Sequence, residues 1–274
     1  MSAQQFGAWD DYFIPGTDVL RNKFTSPSQP FGVTSHSLLH LLETRFVAKR
    51  LAQIARKPLL GNFDYTHMQA IHRYLFQDVY EWAGEPRRGP ETAMVKQGPN
   101  VLDPTDPRPR TYAYYPGNDE MNRAAEARYD ELASDNYLRG LERGPFVERL
   151  AEHWGELNVI HTFREGNTRS QFVFFSQLVA EAGYHLESRR FEVVSPEVQR
   201  ELIREGQPNL REAFVQARFY SQATGRNDRL AQVLNDAVRV QPRALNAQLD
   251  RLVADRRPPE SRRRNDPPNR KPTR

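Results

Sequence analysis

Cysteine is absent from the 274-residue sequence. Disulfide frameworks, thiolate nucleophiles and Cys-ligated zinc or iron–sulfur sites are excluded with it. Long apolar runs are missing too: no stretch of about 18 apolar residues occurs, so a membrane-spanning helix is not expected. The N-terminus, MSAQQFGAWDDYF, lacks the basic and then apolar pattern of a Sec signal, which predicts synthesis and residence in the cytoplasm. Later export by a specialised secretion system, as an effector, stays open. Mean hydropathy is low, −0.78. The formal charge of +4 is unevenly placed: residues 255–274 hold eight Lys or Arg against three Asp or Glu, leaving 31 basic and 32 acidic side chains in the rest.

What is present is mostly helical patterning. Residues 1–34 mix turn formers with Trp9, Tyr12, Phe13, Ile14 and Leu20, an N-terminal arm predicted to lie over a core. From Ser35, Leu38, Leu39, Leu42, Phe46, Val47 and Leu51 recur at three- and four-residue spacing, with Glu43, Arg45, Lys49 and Arg50 assigned to the solvent side. A second helix is predicted from Tyr65 through Trp82, stopped by Gly84 and Pro86. Seven prolines between Gly84 and Gly117 predict an extended excursion with a hairpin as one form, around Ala93–Val95 and Thr111–Tyr115. Helical periodicity resumes over Asp119–Leu132, Pro145–Ile160 and Gly166–Gly183. Leu186–Val194 reads as a strand candidate. Pro196–Glu205, Asn209–Ser221 and Asn227–Ala254 read as helices, the last so polar that loose packing or a partner is expected. Residues 255–274 carry Pro and Arg with almost nothing apolar and are expected to be disordered.

The chemistry concentrates in His161–Phe172, HTFREGNTRSQF, between two apolar helices. A helix starting near Gly166 aims its unpaired backbone N–H groups and its dipole at an anion such as phosphate. Glycine removes bulk where that anion approaches. Glu165 is suited to Mg²⁺, which takes one or two carboxylates together with phosphate oxygens, and Arg169, in the first turn, to phosphate charge. His161, with a reference pKa of about 6.5, suits a general base acting on a hydroxyl. Other constellations are weaker. His67 and His72 are five apart rather than four, which argues against a two-histidine metal site on one helical face. Tyr112, Tyr114 and Tyr115 beside arginines are compatible with base stacking, but packing against the body of the protein is the commoner role.

HTFREGNTRSQF resembles the Fic family signature, His-x-Phe-x-(Asp or Glu)-Gly-Asn-x-Arg-x-x-Arg, through His161, Phe163, Glu165, Gly166, Asn167 and Arg169. IHRYLFQDVYEWAGEPR at Ile71–Arg87 resembles the helix ending in Trp-Ala-Gly that precedes the Fic flap, and FVERLAEHWGELNVIHTF at Phe146–Phe163 the helix leading into the motif. The resemblance implies a mainly α fold, a Fic-type helical bundle with a small β-hairpin flap. It covers roughly residues 10–192 and implies a Fic domain over residues 35–192 behind the arm, while the C-terminal helical extension at 193–254 and the basic tail at 255–274 are read from the residue pattern alone. It also implies protein adenylyltransfer, moving AMP from ATP to a Ser, Thr or Tyr hydroxyl of a target protein docked at the flap. In that scheme His161 is the base, Glu165 holds Mg²⁺, Gly166, Asn167, Thr168 and Arg169 bind the phosphates, and Phe163 anchors the loop. Lys96 and the TYAYYPG run are the expected flap edges.

Two departures qualify the implied mechanism. Thr168 stands where the family has Gly, and Phe172 where it has a second Arg, the residue that holds the γ-phosphate. Losing one charge-assisted phosphate contact costs roughly a hundredfold in ATP orientation. The Doc branch also lacks that arginine and transfers phosphate, but Gly166 and Thr168 differ from its Ala and Lys. Phosphate transfer, or a weakened scaffold serving as a binding module, are therefore the alternatives. The family's inhibitory (Ser or Thr)-x-x-x-Glu-(Gly or Asn) helix has no convincing copy here, since Arg204-Glu205-Gly206 has Glu201 at the Ser/Thr position. If the protein is inhibited at all, a separate small antitoxin, as in toxin–antitoxin pairs, is the expected source, and with Phe172 in place of the second Arg it would need different contacts. For the basic tail, a solubilising end, nucleic-acid attraction, an anionic partner surface and a secretion signal all remain open.

Overall fold

In the computed structural model, residues 6–241 are described. Eight α-helices occur among them. In chain order they are α1 (His36–Arg56), α2 (Tyr65–Phe76), α3 (Asp119–Ser134), α4 (Arg143–Ile160), α5 (Asn167–Glu181), α6 (Pro196–Arg204), α7 (Arg211–Thr224) and α8 (Asp228–Ala237). Between α2 and α3 lies an antiparallel hairpin, β1 (Met94–Gly98) with β2 (Arg110–Tyr114), in which Lys96 pairs with Tyr112. A second short ladder joins β3 (Tyr184–Leu186) to β4 (Val238–Val240).

The helices start where capping chemistry allows. Ser35 caps α1 by accepting from Leu38 N, Asp64 caps α2 through His67 N, and Asn118 caps α3 through Glu120 N. Gly183, at φ +90, ends α5 in the left-handed conformation that glycine adopts without a Cβ penalty. The middle of the bundle is α4, whose Phe146, Leu150, Ala151 and Trp154 are fully buried. It packs against α3, α5, α7 and α8. Apolar side chains on every side of one helix mark an element surrounded by protein.

Four expectations change. The second helix ends at Phe76, and turns follow at 77–79 and 81–84. Tyr80 stacks on Trp82 with centroids 4.3 Å apart, an i, i+2 contact that a continuous helix forbids because such residues project from different faces. Glu43 is not on the solvent side; it is buried within α1. Of the Leu186–Val194 candidate only Leu186 lies in a strand, and Ser188–Phe191 forms a 3₁₀ turn. The polar helix expected over Asn227–Ala254 is helical over Asp228–Ala237. There Leu230, Leu234 and Ala237 are fully buried against the bundle, and the chain then enters β4. The rest of that segment and the basic tail lie outside the described residues.

The N-terminal arm is tied down chemically. Tyr12 is buried, its hydroxyl accepts from Arg88 N, and its ring meets Trp82 edge-on at 5.5 Å.

Candidate active site

The helix α4 ends at His161, whose left-handed backbone (φ 54, ψ 56) turns the chain back towards α5. A non-glycine residue in that region is strained and is held there by its surroundings. Arg87, almost completely buried, is one holder: Nε donates to His161 O at 2.8 Å, Nη1 to Gly89 O at 3.0 Å, and its own N–H to Thr162 O at 2.9 Å. The same guanidinium reaches Tyr115 O, so it joins the motif loop to the base of the hairpin.

The His161 imidazole has a defined tautomer. Nδ1 faces the carbonyl of Asn158 at 3.3 Å, and a carbonyl only accepts, so the proton sits on Nδ1. Nε2 then carries the lone pair and accepts from Lys96 Nζ at 2.8 Å. The Tyr114 ring lies 4.4 Å from the imidazole. Burial pushes the His161 pKa well below its ordinary value, and the cations Lys96, Arg218 and Arg87 push it further. The ring is therefore neutral at pH 7. Burial also lowers Lys96, partly opposed by Glu165.

The loop from Thr162 to Gly166 is rigidified from below. Phe163 is buried and stacks on His72 at 3.8 Å. His72 Nδ1 accepts from Gly84 N at 2.8 Å, so Nε2 carries the proton and donates to Glu165 O at 2.9 Å. Burial drives His72 down to about 3. Asn167 closes the loop on itself: Oδ1 accepts from Phe163 N and Nδ2 donates to Phe163 O. Its side chain is thus spent on the loop, and what it offers a ligand is its backbone N–H.

At the start of α5, Gly166 is the N-cap at φ +83 and no side chain caps the terminus. A Cβ on Gly166 would come within 2.2 Å of Phe76 Cζ, so glycine is required by space as well as by backbone angle. The uncapped N–H groups of the first turn point at the loop, with the helix dipole behind them.

Glu165 and Arg169 flank this terminus. Glu165 Oε1 accepts from Gly166 N at 2.8 Å and pairs with Arg169 Nη2 at 3.3 Å, leaving Oε2 as a hard oxygen donor. One carboxylate beside a phosphate-type anion site is a donor set that fits Mg²⁺. Arg169 is held more tightly from α1: its Nη2 lies 2.6 Å from Glu43 Oε1, while Tyr80 OH donates to Glu43 Oε2. Thr168 Oγ1 accepts from Arg218 Nη1, on α7, at 3.1 Å.

His161, Glu165, Gly166, Asn167, Thr168 and Arg169 are therefore brought to one helix terminus. Of the residues missed from the sequence, Glu43, His72, Arg87 and Arg218 arrive from elsewhere in the chain, and Asn158 lies on α4 one turn before His161. Lys96 was expected at the flap but not against the imidazole. Only Glu43 left a sequence signal. It sits midway between Leu39 and Val47 at i, i+4 spacing, a charge on an apolar stripe.

The profile of the Fic/DOC family matches residues 62–179. The sequence is 33% identical over 177 residues to the "probable protein adenylyltransferase Fic" of Escherichia coli K12, an alignment covering 65% of this chain and 76% of that protein. The chain belongs to the Fic/DOC family. It is also 34% identical to the protein adenylyltransferase VbhT of Bartonella schoenbuchensis over 68% of this chain, although the match spans only 34% of that longer protein. Among solved structures, the Fic fold recurs in the BepC protein of Bartonella tribocorum, a VirB-translocated effector with bound AMPPNP. Its TM-score is 0.65 at 21% identity, with 85% of this chain and 98% of that one covered. The N-terminal Fic domain of a Bartonella quintana Bep effector with bound ADP gives a TM-score of 0.66 at 23% identity, with 86% and 98% covered. In Fic terms β1 and β2 form the flap, and the flap lysine touches the motif histidine. No helix of the described residues is long and apolar enough to cross a membrane.

Proposed function

We propose that this chain is a protein adenylyltransferase that moves AMP from ATP to a hydroxyl side chain of a target protein. The observation that carries the reading is the placement of a neutral imidazole, with its lone pair on Nε2, beside the uncapped N-terminus of α5. A phosphate seated on the first-turn N–H groups sits within reach of a nucleophile deprotonated by His161. The target oxygen attacks the α-phosphorus, an O–P bond forms, the bond from that phosphorus to the bridging oxygen breaks, and pyrophosphate leaves with its electrons. The hydroxyl proton passes to His161 Nε2 once Lys96 gives way. Glu165 is assigned to Mg²⁺, which when bound neutralises phosphate charge. Gly166, Asn167 and Thr168 present backbone N–H groups, and Arg169 offers a cation once it is released from Glu43.

The names of the curated relatives support this chemistry. The translocated effectors among the structural relatives support delivery by a specialised secretion system, and a small antitoxin remains the proposed regulator. The test is incubation of the protein with a lysate and ATP labelled at either the α- or the γ-phosphate. Protein-bound α-label that disappears in His161→Ala is expected. Label from the γ-phosphate alone would make the chain a phosphotransferase, the reading that Phe172 favours, and transfer that survives His161→Ala would refute the mechanism.

A further inference from the structure

Thr168, at the position that the Fic family normally fills with Gly, and Phe172, at the position of its second Arg, both face the same neighbour, helix α7. Phe172 lies in an aromatic cluster with Trp154, Phe191 and Phe214, at centroid distances of 5.0, 5.1 and 5.0 Å. One turn away, Thr168 Oγ1 meets Arg218. Residues 168 and 172 thus oppose 218 and 214, so α7 runs antiparallel to α5 along this seam. A side chain on a helix leans towards the helix N-terminus. An arginine at 172 would therefore reach towards Thr168, the end of α5 where Arg218 arrives from the neighbouring helix.

We propose that Arg218 is a phosphate-contacting residue of the nucleotide site and supplies, from α7, the guanidinium that Phe172 removes from the motif. The proposal rests on the reading of the α5 terminus as the site of the triphosphate. Three observations carry it. Arg218 is anchored by neutral partners: Nε donates to Asn158 Oδ1 at 2.9 Å, Nη2 reaches the same oxygen, and Nη1 takes Thr168. No carboxylate pairs with it among the described residues, and a half-buried cation without a counter-charge is left to be completed by an anion. It also shares the space around His161 with Lys96 and Arg87, since all three cations act on that imidazole. Burial brings Arg218 down to about 10, so it remains charged at neutral pH. Thr168 then has a use that glycine lacks: its hydroxyl holds this guanidinium at the helix terminus. Phe172 has one too, since its ring packs on Phe214, one turn before Arg218 on α7.

The test is calorimetric binding of ATP, ADP and adenosine to the full chain and to Arg218→Gln and Arg218→Lys. One lost charge-assisted contact is expected to weaken ATP and ADP by roughly ten- to a hundredfold in Arg218→Gln. Adenosine affinity stays unchanged, and Arg218→Lys recovers part of the loss. A folded Arg218→Gln that binds ATP within twofold of the wild type would show Arg218 to be a structural tie between α4, α5 and α7, and would leave the transferase reading intact. If the wild type itself binds no ATP, both readings fall. Should Arg218→Gln not fold, the side-chain Nε–H resonance of Arg218 in the wild type, assigned from the Arg218→Lys spectrum, decides the matter. It shifts with ATP and not with adenosine if the contact exists, and an unmoved resonance in ATP-saturated protein overturns the proposal.

Discussion

The ammonium of Lys96 stands 2.8 Å from Nε2 of His161, across 65 positions of sequence. The flap strand β1 thereby delivers a cation to the lone pair that the transfer reaction needs, and that cation helps hold the imidazole neutral.

Lys96→Met removes this charge, so the His161 pKa rises towards its ordinary value. The base must be unprotonated to work, and the acid limb of the transfer-rate profile therefore moves to higher pH. A pH–rate series on wild type and variant measures the shift. An unmoved acid limb would show that His161 does not feel the lysine.

Phe172→Arg restores the family residue but places a guanidinium in the ring cluster of Trp154, Phe191 and Phe214, one turn from Arg218. The loss is expected to be about 3 kcal/mol of stability, seen as a lower urea midpoint, without a gain in transfer rate. Higher activity at unchanged stability would contradict the packing described here.

Gly166→Ala meets two obstacles, a positive φ and Phe76 Cζ at 2.2 Å from the new Cβ. Phe76 is fully buried and has little freedom to withdraw. A stability loss of about 2–3 kcal/mol is expected, together with loss of nucleotide binding in calorimetry. A variant as stable as the wild type would mean that the loop relaxes elsewhere.

His72 is neutral in the folded chain down to about 3, whereas in the unfolded chain it titrates at its ordinary 6.5. The unfolded state binds this proton first as the pH falls, so the contribution of His72 is intact above 6.5 and declines from there towards 3. The slope is about 1.4 kcal/mol per pH unit. Urea unfolding between pH 7.5 and 4.5 should show a flatter decline in His72→Gln than in the wild type, and equal slopes would refute the assignment.

The motif was legible because its chemistry is local. His161 to Arg169 lie within one loop and one helical turn, so residue type and spacing already imply an anion-binding terminus. The apolar periods of α1, α3, α4 and α5 were legible for the same reason, as was the Pro-rich hairpin. Continuing α2 to Trp82 failed because buried turn residues carry the same apolar side chains as a helix. Reading the segment after Asn227 as one long helix failed because the pairing of β4 with β3 joins residues some fifty positions apart.

The sequence by itself determined the site's ingredients: a histidine, a carboxylate, a glycine and an arginine around a helix start, with cysteine chemistry excluded. Tertiary structure decided the charges around them. Lys96 from the flap, Glu43 from α1 and Arg218 from α7 converge only when the bundle closes. Electrostatic coupling depends on distance in space and on exclusion of water, and neither is written in the spacing of residues along the chain.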